Sequence, residues 1–229
     1  MSGSIVSPEL RARLRGAATP IALGFGRLGL TPNHLTLIGF GIAIVAAVFA
    51  AGERWALAGV LLIIGGVFDL FDGALARATG TASRLGAFMD SVFDRAGEAI
   101  VYVGIIAGCL GADFRPGAIL AAAAMAAAFM VSYIRAKSDG LGFTTGTGMA
   151  AIGFAPREIR IVILTVGLLL TALANGLQQA DFGMVPDPSW DLWFAGRSVL
   201  TVTLGLITIL ATITAIQRIV HVTRQTPQE

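Results

Sequence analysis

Four aspartates stand in two pairs within DLFDGALARATGTASRLGAFMDSVFD, residues 69–94. Asp69 and Asp72 are three apart, and Asp90 and Asp94 are four apart. Either spacing puts a pair on one face of a helix. The residues just before, VLLIIGGVF, are apolar. An acid at the centre of a membrane helix costs roughly 2.5–3.5 kcal/mol on insertion scales, so four in one short stretch need a compensating partner. A divalent metal supplies one. Mg2+ takes oxygen ligands and keeps coordination positions for water and phosphate. Carboxylates from two facing helices can hold two metals that clamp a phosphoryl or pyrophosphate group. The competing reading is a set of solvated acids at helix ends near water.

The elements that must carry these acids are membrane helices. The 229 residues are 55% hydrophobic and 13% charged, with a mean hydropathy of +0.80, whereas a soluble domain carries about 25% charge. The composition predicts an all-α, polytopic membrane protein. A nucleic-acid partner is excluded because the net charge is only +2 and the basic residues are dispersed. Cys109 is the single cysteine, which rules out an intrachain disulfide and a cysteine-rich metal site. It lies in an apolar run and reads as packing. Arg11, Arg13 and Arg15 are followed by no long apolar core with a cleavage site, so no cleavable signal peptide is expected.

In chain order, residues 1–6 are expected to be disordered, and Ser7-Pro8-Glu9 reads as a helix start. Leu10, Leu14, Ala17, Ile21, Phe25 and Leu28 follow at helical spacing, with Arg11, Arg15 and Arg27 off that stripe. Residues 7–28 predict an amphipathic helix lying in the membrane interface, kinked at Pro20, with packing on other protein a compatible alternative. A turn is expected from Gly29 to Thr36. Six spans follow at about 34–51, 55–77, 83–110, 118–136, 157–177 and 192–220, each near the ~20 residues a bilayer requires. The connections are 52–54, 111–117, a Gly- and Thr-rich loop over 137–156, and a polar loop over 175–191 with Pro186 and Pro188. The whole chain, 1–229, reads as one domain. Small residues such as AAAAMAAAF and GIIAGCLGA permit close helix approach, although most of the alanines read as filler.

Six spans put both termini on one side. That side collects Arg11, Arg13, Arg15, Arg27, Arg77, Arg84, Arg95, Arg135, Lys137, Arg157, Arg160, Arg218 and Arg224, against Arg54, Arg115 and Arg197 opposite. The asymmetry predicts a multi-pass cell-membrane protein with termini and aspartates facing the cytoplasm.

Written as D-x2-D-G-x2-A-R-x8-G-x3-D-x3-D, the stretch comprises Asp69, Asp72, Gly73, Ala76, Arg77, Gly86, Asp90 and Asp94. It resembles the signature of the CDP-alcohol phosphotransferase (phosphatidyltransferase) family at every fixed position. The resemblance implies an integral membrane enzyme that moves a phosphoalcohol from a CDP-alcohol to a second alcohol and releases CMP. It implies two Mg2+ (or Mn2+) ions per active site, with Asp69, Asp72 and Asp90 as main ligands. Asp94 is implied as general base and as a further ligand. The CDP-lipid site would be lined by Gly73, Ala76, Arg77, Ser83 and Gly86, together with Asn33, His34, Leu35 and Thr36 from the turn before the first span. Gly73 and Gly86 let backbone approach the nucleotide, and Arg77 would face phosphate. Taken alone, His34 reads as an interfacial residue. The family resemblance also implies a homodimer.

The acceptor is read from later cations: Arg135 and Lys137 in SYIRAK, Arg157 and Arg160 in PREIR, and Arg218 in IQR. Positive-inside bias and snorkelling explain some of them. Arg157 and Arg160, however, are three apart on one helix face, and converging cations suit an acceptor that carries phosphate. LTPNHLT, DSVFDR, SYIRAK, the R-x-x-R and IQR together resemble the inositol-phosphate-using branch of the family, the phosphatidylinositol phosphate and archaetidylinositol phosphate synthases. That branch implies CDP-diacylglycerol or CDP-archaeol as donor and inositol 1-phosphate as acceptor. Glycerol 3-phosphate is the alternative acceptor. A metal or ion transporter is the alternative class, but transport predicts acids scattered near the midplane of several spans, and here they cluster.

Overall fold

The computed structural model of the chain describes residues 8–143, 152–180 and 191–225. Every regular element among them is a helix: α1 (Pro8–Arg27), α2 (Pro32–Ala51), α3 (Trp55–Ala78), α4 (Arg84–Gly111), α5 (Arg115–Gly140), α6 (Arg157–Ala180) and α7 (Asp191–Gln225). The helix starts follow local chemistry. Pro32 opens α2 behind a capping box: Thr31 Oγ1 accepts from the His34 amide, and His34 Nδ1 accepts from the Thr31 amide, both at 3.3 Å. Ser83 caps α4 by accepting from the Gly86 amide at 3.0 Å.

The expected boundaries move in a few places. The turn over 29–36 is shorter than expected, because α2 already begins at Pro32. The loop over 137–156 begins later, since α5 continues to Gly140 and the chain reverses at Gly142, whose φ of +81° suits glycine. Residues 175–180, expected in a loop, belong to α6. The rest of that loop with Pro186 and Pro188, the Gly/Thr-rich residues 144–151, the N-terminal residues 1–7 and the chain end 226–229 lie outside the described residues.

Five helices, α2, α3, α5, α6 and α7, contain stretches long and apolar enough to cross a membrane, which makes the chain a helical membrane protein. The remaining expected span, 83–110, corresponds to α4. It is 28 residues long, but it carries Asp90, Asp94 and Arg95 in its first half and Glu98 at its middle, so it does not qualify by composition.

α4 is nonetheless at the centre. Val101, Tyr102, Ile105 and Cys109 are buried with Ala46 and Ala50 of α2, Ala121 and Ala124 of α5, Leu164 and Leu168 of α6, and Leu204 and Ile207 of α7. Cys109 is a packing residue there. The α2–α4 contact is backbone to backbone. A Cβ at Gly104 would run into the Ala47 carbonyl, and one at Gly108 into the Ala50 carbonyl. In a bilayer, where lipid is as apolar as leucine, such close van der Waals contact drives helix association.

α1 runs through Pro20 without a break. Its Ala18 and Ala22 are buried with Leu35 of α2 and Phe71, Ala74 and Leu75 of α3, and Phe25 packs against the same cluster. Ala17, Ile21 and Leu28 of the expected stripe are exposed instead. The helix therefore has a protein-facing line beside an exposed apolar one.

Candidate active site

The end of α3, the start of α4 and the starts of α2 and α6 bring the four aspartates together. Asp72 is buried, and its Oδ2 accepts from Thr36 Oγ1 at 2.7 Å. Gly39 on α2 leaves room for Asp69: a Cβ there would lie 3.2 Å from Asp69 Oδ1. Arg157, the first residue of α6, stands between the two acid pairs. Its guanidinium donates to Asp69 Oδ2 at 3.2 Å and lies 2.9 Å from Asp94 Oδ2. Asp69, Asp90 and Asp94 are close enough to repel one another, and Asp72 feels both Asp69 and Asp90.

Two cavities open beside this cluster. The first, of about 390 Å3, takes in Asn33, Thr36, Asp72, Gly73, Arg77 and Gly86, and Ala76 and Ser83 also line it. Gly73 lets Arg77 fold back over its own helix: a Cβ would lie 3.1 Å from the guanidinium. The second cavity, of about 400 Å3, is lined by Asp94, Arg95, Arg135, Arg157, Arg160 and Arg218 among others. Ala87 and Asp90 line both cavities.

Several expected contacts fall elsewhere. Because α2 starts at Pro32, Asn33 and Thr36, three apart, share the face toward the first cavity. His34 is absorbed by the capping box, and Leu35 is fully buried against α1 and α3. Neither lines the cavity. Lys137 is exposed on α5 and does not line the second cavity. Arg160 reaches that cavity with all three guanidinium nitrogens engaged, and Arg218 with two of them engaged. Arg160 donates from Nε and an Nη to Glu98 at 2.9 and 2.8 Å and from its other Nη to the Ala155 carbonyl at 3.0 Å. Arg218 donates to the carbonyls of Ile152 at 3.0 Å and Val131 at 2.7 Å. Arg135 is half-exposed, 3.8 Å from Asp139.

Sequence reasoning passed over Arg95, which donates to Ser91 Oγ at 2.8 Å and lines the second cavity. It also passed over Glu98. Each had one signal: Arg95 adjoins Asp94, and Glu98 follows it by four residues on the same helix face.

The donor set suits a hard divalent cation, because the four carboxylates offer only oxygen and their mutual repulsion calls for positive charge. As placed, no three acid, histidine or cysteine side chains among the described residues converge into a ligand set. The Arg157 guanidinium holds the position between Asp69 and Asp94 and supplies the compensating charge. The residues thus fit a divalent cation in donor chemistry and in charge.

Residues 29–180 match the family model for CDP-alcohol phosphatidyltransferase. The chain belongs to that family. As a CDP-alcohol phosphatidyltransferase it is a transferase of phospholipid synthesis. It is similar to the archaetidylinositol phosphate synthase of Pyrococcus horikoshii, 36% identical over 169 residues that cover 74% of this chain and 85% of that one. It is similar to the phosphatidylinositol phosphate synthase of Cutibacterium acnes, 31% identical over 222 residues covering 94% and 97%. Among solved structures, the phosphatidylinositol phosphate synthase of Mycobacterium tuberculosis with CDP-DAG bound superposes on this phosphatidyltransferase with a TM-score of 0.71 and 28% identity, covering 90% of this chain and 92% of that one. The same enzyme in complex with manganese and citrate gives 0.71 and 27%, covering 93% of each.

Proposed function

We propose that the protein transfers the phosphatidyl group of CDP-diacylglycerol, or the equivalent group of CDP-archaeol, to inositol 1-phosphate with release of CMP. The observation that carries this reading is the shared wall at Asp90. A cavity with glycines and Arg77 meets, at one acid, a cavity lined by arginines. Such a pair suits a nucleotide-linked donor and a phosphate-bearing acceptor facing one reacting phosphorus. The similarity to archaetidylinositol phosphate and phosphatidylinositol phosphate synthases, one of them with CDP-DAG bound, supports the same pair of substrates, and the manganese-bound relative supports a divalent metal.

In this reading Asp69, Asp72, Asp90 and Asp94 hold two Mg2+ or Mn2+ ions, whose charge, when bound, neutralises the pyrophosphate and the departing CMP. The residues of the chain do the rest. Thr36 fixes the orientation of the Asp72 carboxylate. Gly73 and Gly86 admit the nucleotide close to backbone, with Asn33, Ala76 and Ser83 around it, while Arg77 meets donor phosphate. Arg135 and Arg157 bind the acceptor's phosphate, with Arg95 beside them. Asp94 takes the proton from the acceptor hydroxyl as its oxygen forms the new bond to phosphorus and the bond from phosphorus to the CMP oxygen breaks. α4 is the third of six spans, α1 lies in the interface with its exposed Ile21 and the Leu28 that follows it toward lipid, and the site faces the cytoplasm in a homodimer.

CMP release is the deciding assay. With CDP-diacylglycerol as donor, inositol 1-phosphate should support turnover, and free inositol should not. Turnover with glycerol 3-phosphate alone would replace the inositol reading with a phosphatidylglycerophosphate synthase. Preference for an alcohol without phosphate would end the argument from arginines.

The two cavities predict opposite kinetic signatures. Arg135→Gln should raise KM for inositol 1-phosphate about tenfold or more, because a charged hydrogen bond is worth about 1.5–3 kcal/mol, and should leave KM for the CDP-lipid unchanged. Arg77→Gln should do the reverse. Parallel changes in both constants for either variant would remove the separation of donor and acceptor cavities.

Topology is checked separately. Reporter fusions at Gln225 and within 144–148 should read cytoplasmic, and fusions at Asp113 or Pro186 external, as the arginine asymmetry requires. The reversed pattern would put the aspartates out of reach of a cytosolic nucleotide.

A further inference from the structure

Two ion pairs join α4 to α6, and they differ in exposure. Asp94 and Glu98, four apart on α4, face Arg157 and Arg160, three apart on α6. The Asp94–Arg157 pair is open, with side chains 17% and 26% exposed. The Glu98–Arg160 pair is sealed, at 4% and 1%. The open pair borders the reacting centre, and the sealed pair has no surface to offer a substrate.

The sealed pair reaches the site through the backbone. Glu98 takes two bonds from Arg160, at 2.9 and 2.8 Å, which leaves that guanidinium one direction free to turn. It uses that direction to donate to the Ala155 carbonyl at 3.0 Å. The Ala155 amide donates to Thr214 Oγ1 at 2.9 Å, so α4 and α7 grip the same residue from two sides. Pro156 and Arg157 follow at once. Where Arg157 stands is therefore decided by where Ala155 is held.

We propose that Glu98 is a positioning residue for the transfer: paired with Arg160, it fixes the start of α6 so that the Arg157 guanidinium sits at the edge of the acceptor cavity, beside Asp94. The inference rests on reading that cavity as the acceptor site. It also reassigns Arg160, expected from sequence to bind acceptor phosphate directly, to holding backbone.

Glu98→Gln separates the two roles, because it leaves the Arg160 charge in place. Gln keeps one acceptor oxygen for Arg160 but turns an amide N–H toward the other donor. If Glu98 positions Arg157, KM for inositol 1-phosphate rises about tenfold, the effect of one misplaced charged hydrogen bond, with KM for CDP-diacylglycerol unchanged. If Arg160 binds acceptor directly, the same variant releases it and acceptor KM stays level or falls, which overturns the proposal. A parallel rise in both constants, the mark of a merely structural pair, overturns it too. Should Glu98→Gln fail to elute like wild type, Glu98→Asp, which shortens the reach to Arg160 and leaves the Arg160 charge in place, is read by the same criteria. A wild type that turns over no phosphorylated alcohol overturns both readings, and is distinguished because the failure then appears before any substitution.

Discussion

Asp90→Asn should abolish CMP release while the protein accumulates in the membrane and elutes like wild type. Asparagine keeps the volume of the side chain and removes its charge. Asp90 is the acid shared by the two cavities, so its loss acts on the donor and the acceptor together. Mutating even an outer-shell partner of a metal ligand costs about 10–100-fold, and removing a ligand charge should exceed the top of that range. Thr36→Val gives the internal scale. It deletes the 2.7 Å bond to Asp72 without touching a carboxylate, and its loss should fall inside that range. Chelator should silence the wild-type enzyme, and Mg2+ or Mn2+ should restore it. Full turnover of Asp90→Asn, or of wild type in chelator, would end the metal-assisted reading.

The second large effect is on folding. Gly104→Ala should lower the melting temperature in detergent sharply, although it adds a single methyl group. The atom it meets is the Ala47 carbonyl oxygen, and backbone cannot swing aside as a side chain can. Overpacking of this kind costs about 1–3 kcal/mol, occasionally more. The same exchange at Gly111 meets nothing within 4 Å. There it should be neutral or stabilising, because alanine is favoured over glycine in a helix by about 1 kcal/mol. The pair of variants isolates the α2–α4 contact from helix propensity. A Gly104→Ala protein that melts at or above wild type would show that these helices do not meet as closely as described.

α4 illustrates how composition and packing can disagree. Its acids and Arg95 remove it from the helices apolar enough to span by composition, yet its second half carries the most enclosed part of the core. The span expected over 83–110 carries the second acid pair at its beginning and apolar residues after Glu98. In the folded chain Arg157 and Arg160 of α6 meet two of its acids, Asp94 and Glu98, and Thr36 of α2 meets Asp72 of α3.

The sequence alone determined the four aspartates, the glycines and Arg77 between them, and the apolar runs, because all of these are local. Spacing within one helix decides which side chains share a face. What only tertiary structure decided is which arginines have donors to spare. Arg135 and Lys137 look equivalent in SYIRAK, but positions two apart point to opposite sides of a helix, and only Arg135 lines the cavity. Arg157 and Arg160 look equivalent in PREIR, but one lies between Asp69 and Asp94 while the other is sealed against Glu98, 62 residues away. Those partners sit on other helices, and no periodicity in the chain encodes them. Buried cations must find acceptors wherever packing puts them, so packing assigned each arginine its partner.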